Sequence, residues 1–180
     1  MSARSDAAPG SWIALAPIAA IALAGVVGGA SAPLFALSLE EAGVGRGWIG
    51  LNAAIGSVAI LVFGAASAPL LHRFGLGPFL CLCLAVLALS LIGFKLLDGF
   101  FWACVWRFFV GAAFAGLFVG SEFWILSAAA PPERGRPEQG GGGRMGWAVA
   151  IYTGVLQASF TAGPALLLLT GSKGWPPYLT

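Results

Sequence analysis

The sequence is short of charge. Aspartate, glutamate, lysine and arginine make up 9% of its 180 residues, where a soluble globular domain carries about 25%. So few charges cannot cover a water-facing surface. With 59% apolar residues and a mean hydropathy of +0.92, the chain falls among integral membrane proteins. The formal net charge is only +2 and no basic stripe exists, which argues against nucleic acid as a partner. Histidine occurs once, as His72, and one histidine builds no metal site. Cysteine occurs three times, as Cys81, Cys83 and Cys104, an odd number set inside apolar runs. That is not a disulfide framework. Cys81 and Cys83 would point to nearly opposite sides of a helix and could not chelate one metal. They read as small buried hydrophobes. The short alternating strands of a membrane barrel are absent too. No Ser-His-Asp set, Cys-His set or hydrolytic carboxylate pair can be assembled, so neither an enzyme nor a cofactor is expected.

What the chain has instead is five long apolar runs. They are Trp12–Leu39, Trp48–Leu71, Leu76–Phe94, Gly99–Ser121 and Met145–Thr170. About 20 helical residues cross a hydrocarbon core about 30 Å thick, so each run is long enough. The expected fold class is an all-α membrane protein with transmembrane helices over about 12–39, 48–71, 76–94, 99–126 and 145–170. The first run is too long for the apolar region of a cleaved signal and is kept as a helix. Six of the seven tryptophans support these cuts. Trp12, Trp48, Trp102 and Trp147 lie near span starts, Trp124 near an end, and Trp175 beyond the last span, where headgroup-level rings belong. Only Trp106 does not fit.

Residues 1–11 read as a cytoplasmic tail and 127–144 as a cytoplasmic loop, flexible because of its prolines and four-glycine tract. No strand precedes that tract and no Gly-Lys-Ser/Thr follows, so it is not a phosphate loop. With the N-terminus inside, the cytoplasm receives Arg4, Arg73, Arg134, Arg136 and Arg144, against Arg46, Lys95 and Lys173 outside. That bias sets the orientation. Gly25 and Gly29, Gly111 and Ala115, and Gly116 and Gly120 recur at the spacing that lets helices approach closely in lipid. Pro33, Pro69 and Pro164 are tolerated in membrane helices.

The polar residues inside the spans are the functional candidates. Arg107 stands in an otherwise charge-free run, about 12 Å from the outer end of its helix. An arginine at mid-bilayer costs about 2.5–3.5 kcal/mol on insertion scales. It either snorkels to the near surface or faces a wet bundle interior and acts on protons or substrate. Glu122 lies further along the same helix, at the inner interface, where a pairing with Arg73 is expected and a solvated carboxylate is the alternative. Asn52, Tyr152 and Gln157 either line a pathway or hydrogen-bond between helices, the commoner use.

These residues carry a resemblance. "WRFFVGAAFAG" resembles the Arg-x-x-x-Gly signature of the major facilitator superfamily (MFS), through Arg107 and Gly111. "APLLHRFGLG" resembles that superfamily's Gly-x-Leu-x-Asp-Arg-x-Gly-Arg-Lys/Arg loop. Leu70, Arg73 and Gly75 match it, while Ala68, His72, Leu76 and Gly77 depart from it. "TAGPAL", with Gly163 and Pro164, resembles the Gly-Pro element of the fifth helix. "PLFALSLEEAGVGRGWIGL", "SEFWIL" and "ERGR…MGWAVAIYTGVL" are similar to the YcaD-like branch, with "PEQGGGG" as an insertion.

The resemblance implies a secondary transporter of a small solute, coupled to an ion gradient and placed in a bacterial inner membrane. It implies a proton-coupling or cavity role for Arg107, Gly111 and Glu122. It implies a cytoplasmic gating loop at Leu70, His72, Arg73 and Gly75, and a helix bend at Gly163 and Pro164. It gives the partners as lipid, a small-molecule substrate, protons, and a C-terminal half of the same protein. Five spans then form an incomplete six-helix bundle, with residues 171–180 approaching a missing sixth helix. The alternative is a non-transporting five-span assembly subunit, in which Arg107 pairs with a carboxylate of another chain.

Overall fold

The computed structural model describes residues 12–129 and 141–170, with side chains for 19, 21–127, 146, 147 and 149–166. Five helices make up the described chain: α1 (Trp12–Glu41), α2 (Arg46–Phe74), α3 (Leu76–Leu96), α4 (Phe100–Ala129) and α5 (Gly141–Thr170). No strand occurs among the described residues. The all-α expectation therefore holds. The expected tail 1–11, the approach 171–180 and the loop over 130–140, with Arg4, Arg134, Arg136 and Lys173, lie outside the described residues.

Four helical stretches are long and apolar enough to cross a membrane: Ile21–Glu41, Arg46–Phe74, Leu76–Leu96 and Phe100–Ser127. The chain therefore reads as an integral membrane protein. The fifth expected span is not among these four. Over its described side chains α5 carries Tyr152, Thr153, Gln157, Ser159, Thr161 and Pro164, which dilute its aliphatic residues.

The helices run past their apolar cores at both ends. α2 takes in Arg46 at its start, and His72 and Arg73 in its last turn, where cations sit well against the helix dipole. α5 begins at Gly141, inside the segment expected to be loop to residue 144. Near a bilayer, a helix that continues keeps its own backbone groups paired.

Two glycines make the tight connections. Gly43 (φ 76) ends α1, with Val44 N–H donating to Leu39 O at 3.0 Å and Gly43 N–H to Glu40 O at 3.0 Å. These two bonds satisfy carbonyls that the helix end would orphan, and the left-handed residue between them favours glycine. Gly75 (φ 79) is the only residue between α2 and α3. It therefore turns the chain with no slack.

α4 is the central helix. Half of its most apolar stretch is buried, against 22% for α2, and it packs on all four of the others. The most extensive seams are α1 with α5 and α2 with α4. In the first, Gly25 meets Ser159, Gly29 meets Phe160, and Gly163 meets Val26 and Ala30. In the second, Asn52 meets Cys104, Gly56 meets Arg107 and Gly111 meets Gly56 and Ala59. Residue numbers rise together along both seams, so each joins two parallel helices. α3 and α4 are antiparallel, with Gly93 against Trp106 and Leu80 against Gly120.

Glycine makes these approaches possible. A Cβ on Gly29 would run into the Phe160 carbonyl, and one on Gly111 into the Gly56 carbonyl. Packing of this kind holds helices together in lipid, which supplies no hydrophobic drive between them. The core lies among α1, α3 and α4, around Phe35, Phe79, Leu87, Val110 and Leu117. Leu61 (76% exposed), Leu89 (63%) and Phe101 (70%) point outward, as side chains meeting acyl chains do.

Candidate functional site

Arg107 lies where α4 crosses α2 and α1. Its stem and Nε lie over Gly56, where an added Cβ would come within 2.9 Å of Nε. The glycine therefore makes room for the side chain. The guanidinium carbon sits 5.3 Å from the centroid of the Phe35 ring on α1. That ring is packed on Phe94 at 3.9 Å between centroids. A cation over an aromatic face is stabilised by about 0.5–2 kcal/mol, more as water is removed. The Arg107 Nε is buried without a hydrogen-bond partner. No ion pair to Arg107 occurs among the described residues. Half-buried over Phe35 and Gly56, the side chain turns to the bundle interior.

Gly111 stands one turn beyond Arg107 and makes the backbone contact that closes the α2–α4 seam. Asn52 is one turn before Gly56 and is 2% exposed. Its Nδ2 donates to Cys104 Sγ at 3.7 Å. Of its two expected uses, the structure adopts the bond between helices. Cys83 packs under Gly116 at the α3–α4 contact, Cys81 is exposed, and no group of three or more metal-ligating side chains occurs among the described residues.

At the other end of α4, the expected gating residues lie at the α2–α3 connection. Leu70 packs against the core, His72 and Arg73 are exposed, and Gly75 forms the turn. This end does meet the end of α4, through the His72 and Phe123 rings, whose centroids are 6.2 Å apart. The expected Arg73–Glu122 pair is not made. The reason is helical phase. Successive residues are turned by about 100°, so Phe123 faces α2 while Glu122 faces α5.

There Glu122 shares a cavity of about 200 Å³ with Tyr152 and Gln157 of α5. Three of the expected polar residues are thus brought together. The Tyr152 hydroxyl donates to the Phe118 carbonyl at 3.4 Å, and the rings of these two residues lie 6.2 Å apart. Gly163 serves the approach of α5 to α1, and α5 runs through Pro164 as one helix.

Sequence reasoning missed Phe35, Gly56 and Phe118. Gly56 follows Asn52 by one turn, and that spacing could have marked it. Nothing local marks Phe35 as the partner of Arg107. No family model, curated protein or solved structure matches this chain.

Proposed function

We propose that the five helices correspond to the first five of a six-helix half of an MFS secondary transporter. Such a protein moves a small solute across a bacterial inner membrane, driven by an ion gradient. In this reading α5 is the fifth span and the N-terminus is cytoplasmic. The reading rests on the two parallel seams. Each half of that superfamily contains two inverted three-helix repeats. Exchanging α1 with α4 and α2 with α5 turns the α1–α5 seam into the α2–α4 seam. A glycine contact lies in both, Gly29 with Gly163 and Gly56 with Gly111. An inverted repeat would produce that relation.

Within this frame Arg107 is the coupling or cavity residue. Its unpartnered Nε and inward placement suit a group that trades partners during a cycle. Leu70, His72, Arg73 and Gly75 form a gating loop on the cytoplasmic side, and Glu122 belongs to the inner mouth of the pathway.

Accessibility tests this reading. Cys81, Cys83 and Cys104 are replaced by serine, Arg107→Cys is introduced, and a membrane-impermeant thiol reagent is applied from each side. A transport pathway predicts labelling of position 107 from at least one side. Protection from both sides would sink it. One observation favours the assembly-subunit alternative: Arg107 has no carboxylate partner among the described residues. Protection from both sides together with co-purification of a second membrane chain, lost in Arg107→Met, would support that alternative.

A further inference from the structure

The cavity between α4 and α5 has a composition that selects its ligand. Among the described residues its only carboxylate is Glu122, and no lysine, arginine or histidine lines it. At the facing end of α2, His72 turns to Phe123 instead, with ring centroids 6.2 Å apart. Among the described residues Glu122 thus brings a carboxylate to the cavity with no ion-pair partner. Glu122 is itself exposed, so its carboxylate can be reached by a guest.

The walls add to this. The Phe118 and Tyr152 rings stand 58° apart, with centroids 6.2 Å from each other, so one edge of the cavity is aromatic. The Tyr152 hydroxyl is already used on the Phe118 carbonyl, which leaves the rings rather than the hydroxyl to meet a guest. Gln157 supplies an amide, and Val149 and Leu126 line the cavity with aliphatic surface. A carboxylate beside two rings suits an ammonium group carrying an apolar substituent. At about 200 Å³ the space is below the range of about 300–1,000 Å³ typical of drug-sized ligands. That limits the guest to roughly one ring or a short alkyl chain. An anion would be repelled by Glu122, and a neutral isostere would lack the attraction of charge to carboxylate.

We propose that this cavity is a recognition site for a small organic ammonium group, held by Glu122 and the Phe118 and Tyr152 rings. The inference rests on the transporter reading for its use, because it makes the site a cytoplasmic-side station for an amine substrate. An ammonium group could come from a soluble amine or from a phosphatidylethanolamine headgroup, and the two sources share the same chemistry at Glu122.

The test is equilibrium dialysis of the purified chain in uncharged maltoside micelles against benzylammonium, with benzyl alcohol and benzoate as isosteres. Saturable binding of one benzylammonium per chain is expected, with both isosteres much weaker. Glu122→Gln is expected to weaken binding about tenfold or more, and Phe118→Leu about threefold. Tyr152→Phe, which keeps the ring, is expected to retain binding. Val149→Trp fills the cavity and is expected to abolish binding whatever the state of Glu122. Absence of saturable binding, equal binding by Glu122→Gln, or equal binding of benzyl alcohol would overturn the proposal. Competition by added phosphatidylethanolamine, in a Glu122-dependent way, would support the site and identify lipid as its occupant. Lack of competition beside benzylammonium binding would support a soluble amine. Binding can fail while position 107 is still labelled, and labelling can fail while binding persists, so the two readings fall separately.

Discussion

The α1–α5 and α2–α4 seams are built alike and loaded differently. Both join parallel helices, and both close on glycine against backbone, Gly29 with Gly163 and Gly56 with Gly111. One turn before Gly29, α1 has Gly25, which rests on Ser159. One turn before Gly111, α4 has Arg107, and Asn52 and Cys104 lie just beyond it. The first seam spends its length on close contact. The second gives up part of that contact to hold a cation and an amide inside the bundle. Helix approach can therefore be met by either seam, while charge is confined to one. In lipid the cost of that charge falls on the helix that carries it, and α4, the most buried helix, is the one that can shelter it.

The sharpest way to break the comparison is to disturb both contacts equally. Gly111→Ala and Gly29→Ala each drive a methyl into a carbonyl of the facing helix. Each is expected to destabilise the bundle by about 1–3 kcal/mol, read as loss of thermal stability in micelles. A neutral result at one site and a large one at the other would end the equivalence of the seams.

Arg107→Met comes next, with the opposite sign. Removing a half-buried, unpartnered charge is expected to stabilise the fold by about 1–3 kcal/mol. Destabilisation would mean that Arg107 serves structure rather than a pathway. Gly56→Ala is milder, because the atom it meets is the flexible Arg107 side chain. A shift of that rotamer costs about 0.5–1.5 kcal/mol, and labelling at position 107 in the Arg107→Cys background tests whether the path stays open.

The smallest effect is expected at Asn52→Leu. It removes one hydrogen bond to sulfur at 3.7 Å, and interhelical bonds in membranes average about 0.6 kcal/mol. Denaturation in mixed micelles that gave more than about 2 kcal/mol would show a wider network at Asn52 than that single bond.

The helices were legible because charge-free runs leave little else for the chain to do in lipid. Their ends were less so. Arg46, His72, Arg73 and the glycines at 141–143 look like loop residues, yet each lies within a helix. The small-residue spacing at Gly25 and Gly29 pointed to a real contact. Gly56 has no small residue four positions away, so only its spacing from Asn52 hinted at the same role. Arg107 could be picked out by its isolation, but not the Phe35 ring beneath it, since that contact joins α4 to α1 and no periodicity encodes it. For Glu122, helical rise set the correct end of the bundle, as the neighbouring His72–Phe123 contact confirms. Rotation about the axis decided its partner, and counting depth alone ignores rotation.

The parallel seams also set an order of assembly. Helices joined by short connections alternate in direction, so α1 and α2 cannot find their like-directed partners next door in sequence. During synthesis at about 5–20 residues per second, Gly163 follows Gly29 by on the order of ten seconds. For that interval the Gly25–Gly29 face of α1 is complete but uncovered. The α2–α4 seam closes first, bringing Arg107 into shelter, and α5 then reaches α1 across the bundle. Replacing Gly163 with leucine should leave α2–α4 cross-links intact while weakening those between α1 and α5.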